Sequence, residues 1–379
     1  MLPEAESPRP VLIVDLVKGY GGAEVRVLDM AKALHGRCPY AVAALAGSPL
    51  HRRLDAAGLA ALPVPYRRGD PRLLFFLRRA IHRGGYRVVD AHNVQSQFWG
   101  HLAAVMAGQS VTRVSTVHSA YRLEHAGSLK GRAYEAVLRL NAWLGARFIA
   151  ISAGNYDYLQ TIGVPQARIA LIHNRLQAPQ ASARSRDLPL FQSLGWEERV
   201  YVVIVVARLE PVKGHTYLIE ALGRVAGRQP RLRCLIVGEG RARAALEAQV
   251  CEAGLEDWVH FAGFRDDIPE LLGASDAFCL PSLSEGLPYA LLEACAYRLP
   301  LLVTQVGGMA ELLAHMHTAY LVPPADPAAL AEGLAWLVEH SQEAAGMGRA
   351  SFDHLRQRFS SEDMVSRTLE VYQAVRTVG

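Results

Sequence analysis

Short runs of Val, Ile, Leu and Ala recur along the whole chain, and each is separated from the next by a segment long enough to form a helix. Strands buried on both faces of a parallel sheet carry such nearly continuous apolar runs. In the first half the pattern predicts strands over residues 11–16, 40–45, 87–91, 112–117, 147–151 and 168–172. In the second half it predicts strands over residues 200–207, 232–237, 258–261, 276–280, 301–304 and 320–322. The predicted fold class is therefore α/β with parallel sheets.

The number of predicted strands bears on the domain organisation. One sheet of twelve strands would be unusual, whereas two sheets of about six fit a chain of 379 residues. Residues 177–186 show no apolar periodicity and have the composition of a linker. We therefore predict a first Rossmann-like domain over residues 1–178, a linker region over 179–198, a second Rossmann-like domain over 199–358, and a C-terminal helix within 359–379 that packs back towards the first domain.

The two halves differ in charge. The formal net charge is +4, but residues 1–180 carry +11 and the remaining residues carry −7. Seven arginines between Arg67 and Arg87 dominate the basic half and flank an apolar run, Leu73 to Leu77. This pattern fits either a solvated helix face or contact with an anionic membrane surface. No nucleic-acid reading motif accompanies the charge, so we expect no nucleic acid partner.

Other features of the composition bear on localisation. The apolar runs have strand length, well short of the roughly 18 residues that a membrane-spanning helix needs. The first ten residues lack the apolar core of a secretory signal. The five cysteines are scattered and odd in number, which argues against a disulfide framework. We expect a cytoplasmic protein, either free or peripheral on the inner face of the membrane.

The strand-to-helix loops hold the candidate chemistry, because ligands of open parallel sheets bind beyond the carboxyl ends of the strands. Two such sheets facing each other would form a cleft. Arg208 and Lys213 follow the first strand of the second half, separated by a turn that contains Pro211. Two cations placed this way can converge on one anion such as a diphosphate, although a solvated basic loop fits the spacing equally well.

The segment from Pro281 to Ala294 gives the strongest single signal. Ser284 resembles a helix N-cap and Pro288 stands where a first helical turn would be, which predicts a helix running through Ala294. Glu285 would lie at the start of that helix and Glu293 about two turns along it. Two carboxylates on a mainly apolar helix are costly unless they bind something, although a surface helix with two ordinary glutamates stays open as the alternative. The backbone around Gly286 and Leu287 could hold an anion or sugar hydroxyls.

Glycine-rich turns recur after other strands. Gly21-Gly22-Ala23-Glu24, Gly238-Glu239-Gly240 and Gly307-Gly308 with Glu311 each precede or open a predicted helix. Glycines at a helix N-terminus allow a ligand to approach the backbone, but each turn alone is a weak signal. Several such loops at the same edge are more specific than any one of them.

His118 ends a predicted strand in the first half, and His92 follows Asp90 at the end of another. Each alone could be a structural histidine, but His118 at the carboxyl end of a strand is also a candidate active-site group. No spacing typical of a zinc site is present, and Asp266-Asp267 is more typical of a helix cap than of a metal pair. We therefore predict no bound metal and no cofactor.

These motifs, in their order along the chain, resemble those of the family 4 retaining glycosyltransferases. The resemblance covers nearly the whole length, and its most specific part is the pair of glutamates in Ser-Glu-Gly-Leu-Pro context, Glu285 and Glu293. It implies a GT-B fold, with two Rossmann-like domains facing across a cleft. It also implies a metal-independent hexosyltransferase that moves a sugar from a nucleotide-diphosphate donor, UDP by default, with retention of anomeric configuration.

The resemblance assigns roles to individual residues. Arg208 and Lys213 would bind the donor diphosphate, and Glu293 would hold the ribose. Glu285 with the backbone of Gly286 and Leu287 would face the donor sugar, and His118 would contact that sugar. The remaining expected donor-site residues are Gly22 near the phosphate, Phe264 beside the base, and Glu239. The acceptor would be a hydroxyl of a carbohydrate or of a lipid-linked or cell-surface polysaccharide intermediate.

The chain departs from the family pattern at two positions where glycine is usual, Arg175 and Arg298. A non-glycine residue costs roughly 1–2 kcal/mol if its backbone is left-handed. Two other classes of function stay open on the sequence alone. One is a sugar-nucleotide epimerase or phosphorylase on the same scaffold, which would not release nucleotide diphosphate in response to an acceptor. The other is a non-catalytic sugar-binding protein without nucleotide affinity.

Overall fold

The computed structural model describes residues 9–108, 110–119, 129–175, 188–196, 200–359 and 361–374. The chain divides into two compact units. Residues 1–174 and 362–379 form the first unit, and residues 175–361 form the second. Of the predicted linker region, 179–198, residues 179–187, 197 and 198 lie outside the described residues. Residues 188–196 are described and are not a linker, because they include the helix Pro189–Ser193 and bury Phe191 and Trp196 in the core of the second unit.

The first unit contains a seven-stranded parallel sheet in the order β3-β2-β1-β4-β5-β6-β7. Its strands are β1 Val11–Asp15, β2 Tyr40–Leu45, β3 Ala61–Val64, β4 Val88–His92, β5 Thr112–Val117, β6 Arg147–Ala150 and β7 Ile169–Leu171. Its helices are Gly22–Leu34, Pro49–Ala56, Arg72–Arg83, Val94–Ala107, Leu129–Trp143, Ala153–Thr161 and Ser361–Gln373, with a short 3-10 helix at Gln166–Arg168. The central strands β1 and β4 are buried along their whole length, as their apolar sequences predict.

Strand β3 is the element of this sheet that the hydrophobic pattern missed. It is short, it pairs only with β2, and it contains the exposed Pro63. Proline has no N–H to donate, so it is tolerated at a sheet edge, where one side of the strand has no neighbour. Pro63 interrupts the run of Val, Ile, Leu and Ala that identified the other strands, which is why this strand was missed.

The second unit contains a six-stranded parallel sheet in the order β10-β9-β8-β11-β12-β13. Its strands are β8 Tyr201–Val206, β9 Leu232–Val237, β10 Val259–Gly263, β11 Ala277–Leu280, β12 Leu301–Thr304 and β13 Tyr320–Val322. Its helices are Pro189–Ser193, His215–Val225, Arg243–Glu252, Ile268–Ala274, Tyr289–Ala296, Gly307–Leu312, Pro327–Glu339 and Ser341–Arg358, with a 3-10 turn at Pro211–Lys213. The prediction of two parallel-sheet α/β units is confirmed.

The C-terminal helix, Ser361–Gln373, belongs to the first unit. Met364, Val365 and Tyr372 are buried in the same apolar cluster as residues of β1, β4 and β5. Because the chain crosses back to the first unit for this helix, residues near both ends of the sequence share one core. None of the helices in the described parts of the chain combines the length and apolar character needed to span a bilayer.

Candidate active site

The strand order of the second unit defines where its ligands are expected. The chain runs outward from β8 through β9 to β10, then returns to β11 on the other side of β8. The order therefore reverses between β8 and β11, and open parallel sheets bind their ligands beyond the carboxyl ends of the strands at such a switch point. The loop after β8 carries Arg208 and Lys213, and the loop after β11 carries Glu285.

Lys213 and Glu285 join these two loops directly. Nζ of Lys213 lies 2.6 Å from Oε1 of Glu285, and their side chains are only 14% and 7% exposed. The backbones also meet, because the amide of Leu283 donates to the carbonyl of Val212 at 2.8 Å. The two residues are 72 positions apart in sequence. The fold thus brings a cation and a carboxylate together at the switch point.

Two hydroxyl side chains hold Glu285 in place. The fully buried Ser282 donates to Oε1 of Glu285 at 2.6 Å, the same oxygen that Lys213 contacts. Thr304, at the end of β12, donates in turn to the carbonyl of Ser282 at 2.6 Å. Charge-assisted bonds of this length are among the stronger interactions in proteins. The carboxylate is therefore fixed by Lys213 from the loop after β8 and by Ser282 of its own loop, and Thr304 at the end of β12 holds Ser282.

Close backbone contact between the loops requires glycine at two points. Gly214 is left-handed, with φ 70°, and a Cβ added there would collide with the carbonyl oxygen of Pro281. Gly308 donates its amide to the carbonyl of Gly286 at 2.8 Å, and an added Cβ would collide with that carbonyl oxygen. Since only glycine allows these approaches, Gly214 and Gly308 hold the loops together, and Gly308 belongs to one of the turns predicted as a ligand-approach point.

The other predicted donor-site residues of this unit differ in how they are engaged. The side chain of Arg208 is exposed and makes no hydrogen bond or ion pair with the described residues. Glu293 is half-buried on the helix Tyr289–Ala296, and Leu287 is buried. Phe264 follows β10 with its side chain 49% exposed. Arg208 and Phe264 are therefore accessible side chains at the edge of the sheet where ligands are expected.

Glu239 and Gly286 are already in contact with neighbouring groups. Glu239 forms an ion pair with Arg243, which also contacts Glu247 at 2.8 Å. Gly286 is buried, and its carbonyl accepts the Gly308 amide. The carbonyl of Gly286 is therefore already used, and a ligand can bind this segment only through its other backbone groups.

The predicted start of the helix after β11 is wrong. The helix spans Tyr289–Ala296, so Ser284 is not its N-cap, and Pro288 occupies the cap position in an extended conformation, with φ −71° and ψ 132°. Proline disfavours helical backbone at the preceding residue, which keeps Leu287 out of the helix. Glu285 consequently lies in the loop, where its side chain can reach Lys213. Similarly, Asp267 is at the cap position of the next helix upstream, but its carboxylate bonds to Arg265 instead of capping.

One of the two departures from the family's glycine pattern is strained. Arg298 has a left-handed backbone, with φ 56°. Arg175 is not among the described residues with positive φ. The guanidinium of Arg298 lies 5.0 Å from the ring centre of Phe352, a cation–π contact that offsets part of the strain.

In the first unit the corresponding switch point lies between β1 and β4. The helix Gly22–Leu34 begins there, with Gly21 at the cap position, as the glycine-rich turn predicts. Asp15 at the end of β1 accepts a 2.8 Å hydrogen bond from Asn93 after β4. Burial and the neighbouring Glu24 raise the pKa of Asp15 well above its usual value.

His118 stands directly after β5, partly exposed. Its Nε2 lies 2.9 Å from Nδ1 of the fully buried His92. Burial, together with His92 and Arg26, lowers the pKa of His118 well below its usual value. His118 is therefore a neutral imidazole, and the buried imidazole of His92 contacts its Nε2.

Three side chains near the second unit's switch point were not singled out from the sequence. Ser282 and Thr304 are common residues, and only the fold shows that they hold Glu285. His215, which opens the helix after Gly214, is 2% exposed and neither ring nitrogen has a hydrogen-bond partner among the described residues. Burial and the nearby Lys213 lower the pKa of His215 to about 4. In the sequence, the feature that could have singled out His215 is its position two residues after Lys213.

Comparison with known proteins decides the family. A sequence model described as "Glycosyl transferases group 1" matches residues 188–354, and one described as "Glycosyl transferase 4-like domain" matches residues 21–175. The chain belongs to the family 4 glycosyltransferases. The family inferred from the sequence motifs is confirmed, and each of the two units described above corresponds to one matching region.

The curated relatives of this glycosyltransferase include enzymes with different names. It is 29% identical to a glycogen synthase of Mycobacterium tuberculosis over 301 residues, covering 76% of this chain and 69% of the relative. It is 28% identical over 270 residues to a UDP-Gal:alpha-D-GlcNAc-diphosphoundecaprenol alpha-1,3-galactosyltransferase of Escherichia coli, covering 67% of this chain and 66% of the relative.

Solved structures support the fold. Anabaena HepE in complex with UDP-glucose matches this glycosyltransferase with a TM-score of 0.85 at 24% identity, covering 97% of this chain and 100% of the other. Sucrose-phosphate synthase from Thermosynechococcus elongatus matches with a TM-score of 0.80 at 19% identity, covering 96% and 98%. The GT-B fold expected from the family resemblance is confirmed.

Proposed function

We propose that this glycosyltransferase is a metal-independent, retaining hexosyltransferase that uses a UDP-sugar as its donor. The observation that carries the proposal is the arrangement at the second unit's switch point. There Lys213 is paired with a fixed Glu285 while Arg208 is left exposed and unengaged in the same loop. A site that must neutralise a diphosphate needs such cations.

Each site residue has a proposed role. Arg208 and Lys213 bind the diphosphate, and Glu293 accepts hydrogen bonds from the ribose hydroxyls. Glu285 and the backbone of Gly286 and Leu287 contact the donor sugar. Phe264 borders the base and Glu239 lies beside it. In the first unit, His118 and Gly22 are proposed as donor contacts.

In the proposed reaction the acceptor hydroxyl attacks the anomeric carbon from the face that the diphosphate leaves. The bond between the anomeric carbon and the phosphate oxygen breaks, and a bond to the acceptor oxygen forms. The acceptor proton passes to an oxygen of the departing diphosphate, so no covalent enzyme intermediate forms. Arg208 and Lys213 stabilise the negative charge that develops on the leaving group.

The substrate classes are proposed from the relatives. HepE was crystallised with UDP-glucose, and the Escherichia coli relative is named for UDP-Gal as donor and a diphosphoundecaprenol-linked sugar as acceptor. A UDP-hexose and a lipid-linked or polysaccharide acceptor suit this chain on that basis. A panel of UDP-, GDP- and ADP-sugars, with detection of the released nucleotide and the mass of the product, tests both choices.

Arg208 offers a sharp test of the donor site. Because its side chain is exposed and unengaged, Arg208→Ala should unfold at the same denaturant concentration as the wild type, while transfer falls by about 100-fold or more. Arg224→Ala removes an exposed arginine of the same unit that pairs with Glu220 at 2.7 Å, and serves as the matched control. Equal transfer by Arg208→Ala and Arg224→Ala would contradict the assignment.

Membrane contact through the helix Arg72–Arg83 is a second proposal. Leu73, Leu77 and Ile81 are buried in the core of the first unit, so the helix offers a membrane only its other face. That face presents Phe75, 61% exposed, with the exposed Arg78, Arg79 and Arg83. Each arginine near an anionic surface contributes about 1 kcal/mol. We propose that the enzyme works in the cytoplasm, on the inner face of the membrane.

Sedimentation with liposomes tests this surface. We expect co-sedimentation with anionic vesicles at low salt, its loss with neutral vesicles, and its loss when Arg78, Arg79 and Arg83 are all replaced by Gln. Replacing the arginines Arg224, Arg228 and Arg231 of the second unit by Gln is the control. Unchanged binding by the first triple variant would remove the proposed patch.

A further inference from the structure

Behind His118 lies an unusual series of polar side chains within the core of the first unit. The Asp–His–His array consists of Asp90 in the middle of β4, His92 at the end of β4 and His118 directly after β5. Asp90 and His92 are 1% and 0% exposed, whereas His118 is partly exposed at the carboxyl edge of the sheet. The array therefore connects the buried core to the edge where ligands of a parallel sheet bind.

The contacts of Asp90 define its protonation state. Thr116 donates to Oδ1 at 2.9 Å, and Tyr372 of the C-terminal helix donates to Oδ2 at 2.6 Å. Burial raises the pKa of the Asp90 carboxyl, but His92 and the hydroxyl donors outweigh burial and bring the pKa below its usual value. Asp90 is consequently an ionised carboxylate that can only accept hydrogen bonds.

The proton positions of the two imidazoles follow from this carboxylate. Nε2 of His92 lies 3.4 Å from Oδ2 of Asp90, within ion-pair distance, and no described group forms a hydrogen bond with that nitrogen. An acceptor at this place favours a proton on Nε2 of His92. In the neutral ring Nδ1 then carries the lone pair and can only accept. Nδ1 of His92 lies 2.9 Å from Nε2 of His118, and with His92 neutral and protonated on Nε2 it is His118 that donates in that bond.

We propose that Asp90, acting through His92, fixes His118 in the tautomer that carries its proton on Nε2 and presents Nδ1 as a hydrogen-bond acceptor. His92 is a positioning residue for His118. The ligand group that suits a neutral imidazole acceptor is a hydroxyl, and in this glycosyltransferase that group is a hydroxyl of the donor sugar. This last step rests on the proposed function, whereas the proton positions do not.

Nitrogen NMR of the protein labelled with 15N-histidine measures the proton positions without any substrate. His92→Asn and His118→Asn identify the two ring signals by their loss. We expect both rings as neutral Nε2–H tautomers at pH 7.5. A proton on Nδ1 of either ring, or a charged ring, would overturn the array even if the enzyme transfers sugar normally.

Kinetics with a matched pair of variants tests the positioning role. In His92→Leu the His118 ring loses its acceptor, and kcat should fall by about 10–100-fold, the range typical of groups that orient an active-site histidine. In His92→Asn the amide oxygen takes the place of Nδ1 and can accept from His118, so we expect recovery to within a few-fold of wild type. Equal losses in both variants would indicate a merely structural role.

A buried histidine outside the array provides the control. His101, on the helix Val94–Ala107, is 0% exposed and bonds to the carbonyl of Val114 at 2.9 Å. His101→Asn should lower stability without changing kcat of the folded enzyme. If kcat falls as far in His101→Asn as in His92→Leu, the effect belongs to the core in general and the positioning role is wrong.

Discussion

At the scale of single residues, Glu285 depends on Lys213 for charge balance. Its carboxylate is 7% exposed, and without Lys213 the contacts left to it in the structure include a neutral hydroxyl, that of Ser282. Breaking a largely buried ion pair leaves an uncompensated charge, which costs about 3 kcal/mol. Lys213→Ala should therefore destabilise the second unit by about that amount, measured by chemical denaturation.

A substitution of Glu285, the other member of the ion pair, supplies the control. Glu285→Gln in the Lys213→Ala background removes the unpaired charge while keeping the side-chain shape, so the double variant should recover part of the lost stability. A double variant less stable than Lys213→Ala would contradict the pairing. Both variants should transfer sugar poorly, because both residues belong to the proposed donor site.

Arg298 is strained by its own backbone. Its φ of 56° is a conformation that glycine adopts freely and that costs other residues about 1–2 kcal/mol. We predict that Arg298→Gly raises the stability of the second unit by about 1 kcal/mol, visible as a rise in Tm of about 2–4 °C. Arg298→Ala keeps the strain and loses the contact with Phe352, and it should give no rise. A glycine variant no more stable than the alanine variant would show that the strain is absent.

At the scale of elements, the loops after β11 and β12 are locked by backbone contact. A Cβ at Gly308 would collide with the carbonyl of Gly286, which cannot rotate away as a side chain could. Gly308→Ala should cost about 1–3 kcal/mol, as overpacking does, and should also reduce donor affinity because it displaces the Glu285 loop.

Gly227 is the matched control for that change. It lies in a turn of the same unit, with nothing within 4 Å of an added Cβ and no positive φ. Gly227→Ala should leave both stability and donor affinity close to wild type. If both alanine variants behave alike, the contact between the two loops does not matter for the site.

Elements differ in how far the sequence predicts them. The central strands were predicted to within one or two residues, because strands covered on both faces need continuous apolar sequences. Strand β3 was missed because an edge strand tolerates Pro63 and partial exposure. The helix Tyr289–Ala296 begins later than predicted because Pro288 ends the extended loop.

The candidate site, like the fold, could be predicted from the sequence only in part. The loops that carry Arg208, Lys213 and Glu285 could be predicted, because they follow recognisable strands and contain unusual residues. The contact between Lys213 and Glu285 could not, since it joins loops 72 residues apart and depends on the order of the strands. Ser282 and Thr304 carry no distinctive pattern, so their support of Glu285 is visible only in the fold.

At the scale of the whole molecule, buried neutral histidines make stability depend on pH. The pKa of His215 is about 4 in the folded state and about 6.5 in the unfolded chain. Between these values the unfolded chain binds a proton that the folded unit excludes. This contribution is fully present above about pH 6.5 and is lost as the pH falls towards 4, with a total of about 3 kcal/mol.

Denaturation of the wild type and of His215→Asn at pH 7.5 and pH 5 checks this dependence. The variant should lose less stability than the wild type over that interval, because it lacks one titrating group. His317→Asn, which changes an exposed histidine of the same unit, should follow the wild type. An identical loss in all three proteins would exclude His215 as the source.

The whole account depends on where the donor nucleotide binds. A crystal structure of the enzyme with UDP is the most direct measurement. We predict the diphosphate within hydrogen-bond distance of Arg208 and Lys213, beyond the carboxyl ends of β8 and β11, with the ribose hydroxyls at Glu293. A nucleotide bound elsewhere, or bound here with Arg208 and Glu293 pointing away from it, would contradict the account.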